Sequence, residues 1–325
     1  MSKFIGRLIQ AGIGKETERG TAVAPSFWLQ KINCDVDDKF EGVVDENSLG
    51  VIEDAQDFKV TKKWAEGEVS GKVGDASIGL LLLGALGTVS SDAKDAPNAA
   101  VYDHTYAVQQ DAQHDSLTLE VKNPNEQLKF VNAVLSALSI KAELGGFVEF
   151  VANFMAKLGT AAANTPAYTA ENNFLAKDIS VKFADNLAGL AAASEVSVKN
   201  VELNIEKNIE SDDVLGDDEP EDFLNKQFAI TGNIELLYDA TTYKALALAG
   251  TQKALRINIT DTGTTIGDSA NPGLVIDLAK VKLTEWAKTS DQNEIVRQTL
   301  SFKAFYSSTD SKMLDCVLTN LTASY

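Results

Sequence analysis

The sequence predicts an all-β protein with only two short helices. Several long stretches, of which Phe228–Tyr238 is the clearest, alternate apolar and polar residues with the period of two expected of a strand with one buried face. Helical signals are confined to two short segments, 240–249 and 78–86. The order of strands and helices also repeats along the 325 residues. We therefore expect two β-sandwich or barrel-like domains in tandem, related by an internal duplication.

Each predicted helix belongs to a strand–helix unit with recognisable ends. In the second half of the chain, Asp239 stands at an N-cap position and Gly250 at the position where helices commonly end. A fainter copy lies at 67–88, where Asp75 opens the helix and Gly87 follows it. The two units mark equivalent places in the two halves.

Composition excludes several functional classes. The formal net charge of −18 argues against tight binding to nucleic-acid phosphates, which requires clustered Lys and Arg. Cys34 and Cys316 form no CxxC or Cys/His ligand pattern, so we expect free thiols in a reducing compartment. No targeting signal is evident, and the longest apolar run is far shorter than the roughly 20 residues of a membrane span. We expect a soluble protein with no membrane partner.

The first half of the chain is predicted to contain an arm and one domain. Residues 1–33 are interrupted by glycines and are expected to form an arm that docks through Phe27 and Trp28. Residues 34–160 form the first domain, with a long acidic loop at 35–57. A polar loop is expected at 89–105. Alternation predicts strands over Phe58–Val73, Ser116–Val121, Val134–Leu144 and Val148–Leu158.

The second half repeats this order after a small, polar linker at 161–175. Residues 176–325 form the second domain, with an acidic loop at 210–222. Strands follow in the same sequence as before, over 201–205, 228–238, 255–259, 275–286 and 296–306.

No motif predicts catalysis, a cofactor or a metal centre. His104 and His114 are the only histidines, and no GxSxG nucleophile elbow is present. The acidic segments lack EF-hand spacing. They fit a solvated loop, an opportunistic cation site or a protein-contact loop.

The phrase GIGKETERGTAVAP at 12–25 resembles the opening of major tail tube proteins of long-tailed bacteriophages. Segments 103–119 and 130–158 are similar to that family as well. The resemblance implies a β-sandwich with a flanking helix, whose subunits form stacked rings around a channel for phage DNA. It further implies a virion protein assembled in the host cytoplasm, with the tape measure, tail terminator and distal tail proteins as partners.

Within this interpretation the acidic loops are expected to contact a neighbouring ring or subunit. The expected contact residues are Asp45, Glu46, Leu49, Glu53, Asp54, Asp212, Asp213, Leu215, Asp217 and Asp218. If both halves are tube domains, a ring is a trimer with pseudo-sixfold symmetry; if only the first half is, it is a hexamer. A carboxylate-rich lumen would let DNA pass without specific binding. The alternative is a soluble β-sandwich that binds a cell surface or a carbohydrate.

Overall fold

The computed structural model describes residues 3–48 and 50–325. In the first half, up to residue 160, the main strands are β1 (Gln10–Lys15), β2 (Phe27–Trp28), β3 (Ile32–Cys34), β4 (Asp37–Asp45), β5 (Asp57–Lys72), β6 (Gly87–Ala93), β7 (Tyr102–Val108), β8 (Leu117–Lys122), β9 (Gln127–Glu143), β10 (Val148–Ala156) and β11 (Thr160–Ala161). In the second half they are β12 (Ile179–Ala184), β13 (Glu195–Val196), β14 (Val198–Glu206), β15 (Ile209–Asp212), β16 (Asp222–Asn225), β17 (Ala229–Leu237), β18 (Lys253–Thr260), β19 (Gly273–Thr289), β20 (Arg297–Ala304) and β21 (Leu314–Asn320).

The all-β prediction is confirmed, and the two α-helices are short. Helix α1 spans Ile78–Leu86 and helix α2 spans Thr242–Ala249. Both end at a glycine in the left-handed conformation, Gly87 and Gly250, as the sequence predicts. The predicted Asp239 cap is wrong, because Thr241 occupies the N-cap position of α2.

A central antiparallel sheet runs through both halves in the order β4–β5–β10–β9–β14–β17–β20–β19. Its middle junction is the pairing of β9 with β14, where Leu138 lies opposite Ile205 and Ile140 opposite Leu203. These side chains belong to the hydrophobic core. The two halves therefore share a sheet, and the proposed division into two duplicated domains stays a prediction.

The longest strands of the two halves, β9 and β19, each take part in two sheets. The first part of β9 pairs with β8, and its second part pairs with β10 and β14. The first part of β19 pairs with β18 and β21, and its second part with β20. Helix α1 packs between these layers with every residue buried. The flanking sheets also join the halves, because β7 pairs with β21.

The prediction that residues 1–33 form an unpacked arm is wrong for β1. This strand pairs with β8 over its whole length, and Ala11 and Ile13 are fully buried. Gly12 and Gly14 serve close packing, since a Cβ at Gly12 would lie 2.8 Å from Cβ of Pro25 and one at Gly14 would lie 2.6 Å from the Ala24 carbonyl oxygen.

Three predicted loops contain strands. Most of 35–57 forms the β4–β5 hairpin, 89–105 includes β6 and the start of β7, and 210–222 lies in the β15–β16 hairpin. Their alternation is weak because much of their surface is exposed on both faces, which removes the apolar periodicity that marks a half-buried strand. The linker at 161–175 is mostly irregular, yet Phe174 is fully buried and Asn172 hydrogen-bonds Asp75.

A buried lysine directly after β14 links the second half to α1 through a hydrogen bond. Lys207 is 1% exposed, and its Nζ donates a hydrogen bond of 2.7 Å to the Gly84 carbonyl in the last turn of α1. Burial, together with the positive charge of Arg19, lowers the pKa of Lys207 to about 7. The folded protein therefore binds this proton more weakly than the unfolded chain does.

Replacing Lys207 by Met tests this linkage. Because the folded pKa is lowered, the wild type gains stability as pH rises from about 7 towards 10.5, by at most about 1.4 kcal/mol per pH unit. We expect chemical denaturation at pH 7, 8 and 9 to show this rise in the wild type and a flatter profile in the Lys207→Met variant. Lys226→Met, at an exposed lysine, is the control. Equal pH slopes in wild type and Lys207→Met would contradict the assignment.

Candidate assembly surfaces

The central sheet has one apolar face and one polar face. Buried residues such as Val69, Phe150 and Ile234 alternate along their strands with polar residues that point to the opposite face. As far as the bulge at Glu41–Gly42, that opposite face holds ten carboxylates against seven basic residues. The carboxylates are Asp37, Glu41, Glu66, Glu68, Glu143, Glu149, Glu202, Glu206, Glu235 and Glu285, and the basic residues are Lys39, Lys62, Lys72, Lys141, Lys282, Arg297 and Lys303. All of these side chains are exposed or half-buried. The polar face is therefore an open, carboxylate-rich surface.

The outer part of the β4–β5 hairpin stands free of the sheet as two strands. Strand β10 pairs with β5 only from Ala65 onward, so residues 57–64 pair with β4 alone. Large apolar side chains are exposed along this part and its turn: Phe40, Val43, Val44, Val51, Ile52, Phe58 and Val60. An exposed apolar surface concentrated on one element is typical of a protein contact.

The predicted contact residues of the first acidic segment lie at the end of this hairpin. Asp45 is the last residue of β4, and Glu46, Glu53 and Asp54 lie in the exposed turn. Leu49 lies outside the described residues. Sequence reasoning identified the carboxylates but overlooked the apolar side chains around them, which were visible in the sequence as Phe40, two consecutive valines and Val51-Ile52.

The second acidic segment lies beside the base of the same hairpin. Lys62 on β5 forms an ion pair of 2.5 Å with Asp213, and Lys63 forms one with Asp218. The Lys63 N–H also donates to the Asp218 carbonyl at 2.7 Å. The structure thus uses two of the predicted contact residues within the chain. Asp212, Leu215 and Asp217 remain exposed.

Asp222, at the end of that segment, ties it to the first half. Its carboxylate accepts hydrogen bonds from Arg19 (2.5 Å), Asn132 (2.9 Å) and Gln113 (2.7 Å). Burial favours the neutral acid, but these hydrogen bonds outweigh it and hold the pKa of Asp222 at about 2.

The predicted anchor pair forms β2 against β1, with Gly12 opposite Trp28. Trp28 is 5% exposed, and the Phe27 ring lies 5.8 Å from that of Tyr325. This pair packs inside the chain.

Both histidines are buried and hydrogen-bonded. His104 joins Ser91 on β6 to Asn320 on β21, at 2.7 and 3.0 Å. Burial lowers the pKa of both His104 and His114, to about 4 for His114. Among residues 3–48 and 50–325, no cluster of His, Cys, Asp and Glu has the arrangement to hold a metal ion. In the same part of the chain, no helix has the length and hydropathy needed to cross a bilayer.

The hydrogen bonds of Asp222 predict a pH dependence of stability. A carboxyl whose folded pKa is depressed from 3.8 to about 2 stabilises the fold above pH 4, and the effect is lost as pH falls towards 2. We expect Asp222→Asn to lower the free energy of unfolding at pH 7 by about 2 kcal/mol. The difference should shrink between pH 4 and pH 2 in urea denaturation. Asp268→Asn, at an exposed carboxylate, should change little, and a pH-independent loss in Asp222→Asn would argue against the pKa.

Comparison with known proteins bears on these surfaces. A search of curated proteins finds no match for the chain. The model of one family, described as phage tail tube protein, matches residues 6–304. This match extends through both halves, from before β1 to the end of β20. The chain belongs to the phage tail tube protein family, and it is a structural component of a virion tail.

Proposed function

We propose that the chain is the major tail tube subunit, which forms rings that stack into a tube around a channel for phage DNA. The observation that carries this proposal is the central sheet, which has one covered face, one open polar face and two free ends. Placing such sheets side by side in a closed ring gives the polar face a water-filled lumen to line. Assembly takes place in the host cytoplasm, and the tube ends contact the tail terminator and distal tail proteins, with the tape measure inside.

The polar face supplies the lumen in this arrangement. Its excess of carboxylates repels DNA phosphates, so the duplex passes without binding to the wall. Glu68 and Glu206 are representative, since each lies opposite uncharged residues, Asn153 for Glu68 and Ala137 for Glu206.

A trimeric ring with pseudo-sixfold symmetry is the assembly that the fold favours. Two features recur in equivalent positions of the halves. Phe154 lies opposite Gly67, and Phe302 lies opposite Gly232. The adjoining strand bulges in both cases, and the hydroxyl of the bulged residue donates to the facing carbonyl: Ser136 to Asn153 at 3.1 Å, Thr284 to Ser301 at 3.2 Å. These recurrences support two tube domains per chain. A hexamer is the expectation if only the first half forms the tube.

The free part of the β4–β5 hairpin is the element proposed to reach the neighbouring ring. It combines exposed valine, isoleucine and phenylalanine side chains with the carboxylates Asp45, Glu46, Glu53 and Asp54. The ion pairs of Lys62 and Lys63 hold its base against the second acidic segment. In that segment Leu215 is fully exposed and is proposed, with Asp212 and Asp217, as an additional contact.

Charge at the hairpin turn tests the stacking role. We expect Ile52→Asp to leave the fold intact, because Ile52 is fully exposed, but to shorten or abolish tubes by placing a carboxylate in an apolar contact. The measurement is tube length in negative-stain micrographs, with chains per ring counted in averaged images. Leu321→Asp, at an exposed leucine outside the hairpin, is the matched control. Normal tubes from Ile52→Asp would exclude the hairpin turn as a stacking contact.

Charge reversal on the polar face tests the lumen. Tubes carrying both Glu68→Lys and Glu206→Lys should retain double-stranded DNA at low salt, whereas wild-type tubes should not. The control carries Glu126→Lys and Asp268→Lys, which alter exposed carboxylates outside the central sheet by the same charge. Equal DNA retention by the two variants would show that the polar face does not line the channel.

A further inference from the structure

The central sheet ends in two strands that each have one unpaired edge within the described part of the chain. At one end β4 pairs only with β5. At the other end, residues 282–289 of β19 pair only with β20. Exposed edges of this kind are templates for pairing with another chain.

The pairing of β9 with β14 shows how the edge strands of two half-sheets pair within one chain. In the spatial order of the central sheet, the second part of β9 is the strand of the first half that borders the second half, and β14 is the strand of the second half that borders the first. They pair antiparallel, with Leu138 opposite Ile205 and Ala137 opposite Glu206. Strand β19 occupies the place of β9 in the second half, and β4 occupies the place of β14 in the first half.

Shared landmarks fix the correspondence residue by residue. Leu138 lies two positions after Ser136, the bulged residue of β9, and Trp286 lies two positions after Thr284, the bulged residue of β19. Asp38 lies opposite Ala65, two positions before Gly67. Ile205 lies opposite Ile230, two positions before the equivalent Gly232. The close approaches agree, since a Cβ at Gly67 would collide with the Asp35 carbonyl and one at Gly232 with the Glu202 carbonyl.

We propose that β19 of one copy pairs antiparallel with β4 of a second copy, in a register that places Trp286 opposite Asp38 and Glu285 opposite Lys39. This inference rests on the proposed ring assembly and names the strands and the register that close it. The partner is a second copy of this chain. The pairing reproduces the β9–β14 junction at each boundary between copies.

The faces of the two strands agree with this register. Glu285 lies opposite Ser301 and Lys39 opposite Trp64, and both pairs are on the polar face. Trp286 and Asp38 are on the covered face, opposite Leu300 and Ala65. A shift of one residue would place side chains of the polar face opposite those of the covered face.

The charge of Glu285 disfavours the registers shifted by two residues. In the proposed register the exposed Glu285 faces the exposed Lys39, an opposite-charge pair that stabilises a sheet. A shift by two residues in either direction would place Glu285 opposite Asp37 or Glu41, and like charges directly opposite each other are destabilising. The internal junction contains a similar pair, Lys141 opposite Glu202.

Cysteine cross-linking tests the register. In a Cys34→Ser background, Glu285→Cys combined with Lys39→Cys should give covalent oligomers on non-reducing gels after mild oxidation of assembled tubes. Directly opposed residues lie within the Cα separation of roughly 4.4 to 6.8 Å that a disulfide requires. The matched control, Glu285→Cys with Glu41→Cys, displaces one thiol by about 7 Å along the strand and should cross-link much less.

The outcomes separate the register from the function. Tubes in micrographs together with preferential cross-linking of 285 to 39 support both. Tubes without that cross-link, or with equal cross-linking of the control, overturn the register alone. A chain that stays monomeric under all conditions overturns the proposed function and the register with it. A charge exchange gives a second readout: Glu285→Lys should weaken ring formation, and adding Lys39→Glu should restore it, whereas no rescue would contradict the register.

Discussion

The pairing of β9 with β14 is the interaction on which the rest of the structure depends. It buries Leu138 and Ile140 against Leu203 and Ile205 and converts two half-sheets into one. Because side chains alternate across every strand, this register also decides that the polar residues of both halves lie on the same face. A slip by one residue would bury Glu202 or Glu206. The continuous polar surface is therefore a consequence of how the apolar side chains of one junction pack.

A sheet extended in this way keeps two edges, and the charges on them have a physical purpose. Asp37, Asp38, Lys39 and Glu41 follow one another along β4, and charged residues on an edge strand discourage indiscriminate pairing between copies. Only a strand whose charges complement them can pair without repulsion. The same residues that keep a free copy from aggregating can thus select the partner strand. Specificity of this type is a difference between allowed and disallowed registers.

Sequence reasoning located the strands with one buried face, such as β10, β17 and β20, because burial on one side creates the apolar alternation. It located β5 but missed its partner β4, where exposure on both faces removes that signal, and it missed β1, where Gly12 and Gly14 permit close packing. The acidic residues of the first turn were recognised as exposed. The internal use of Asp213 and Asp218 could not be predicted, since their partners Lys62 and Lys63 lie about half a chain away and meet them only through the fold.

The net charge of −18 is unevenly distributed, and this shapes assembly. Asp213, Asp218, Asp222 and Asp277 are paired with Lys or Arg inside the chain, so they contribute little to the field outside it. Carboxylates without a Lys or Arg partner include Glu68 and Glu206 on the polar face and Glu53 and Asp54 at the hairpin turn. Bringing copies together therefore raises electrostatic repulsion in both places, and apolar contacts and edge hydrogen bonds must overcome it. Salt screens exposed charges over about 10 Å at 0.1 M, so it weakens the repulsion between copies and, in the proposed tube, the repulsion between the wall and DNA. In the proposed tube, assembly therefore rests on apolar burial and sheet pairing, which salt affects little, whereas the passage of DNA rests on charge.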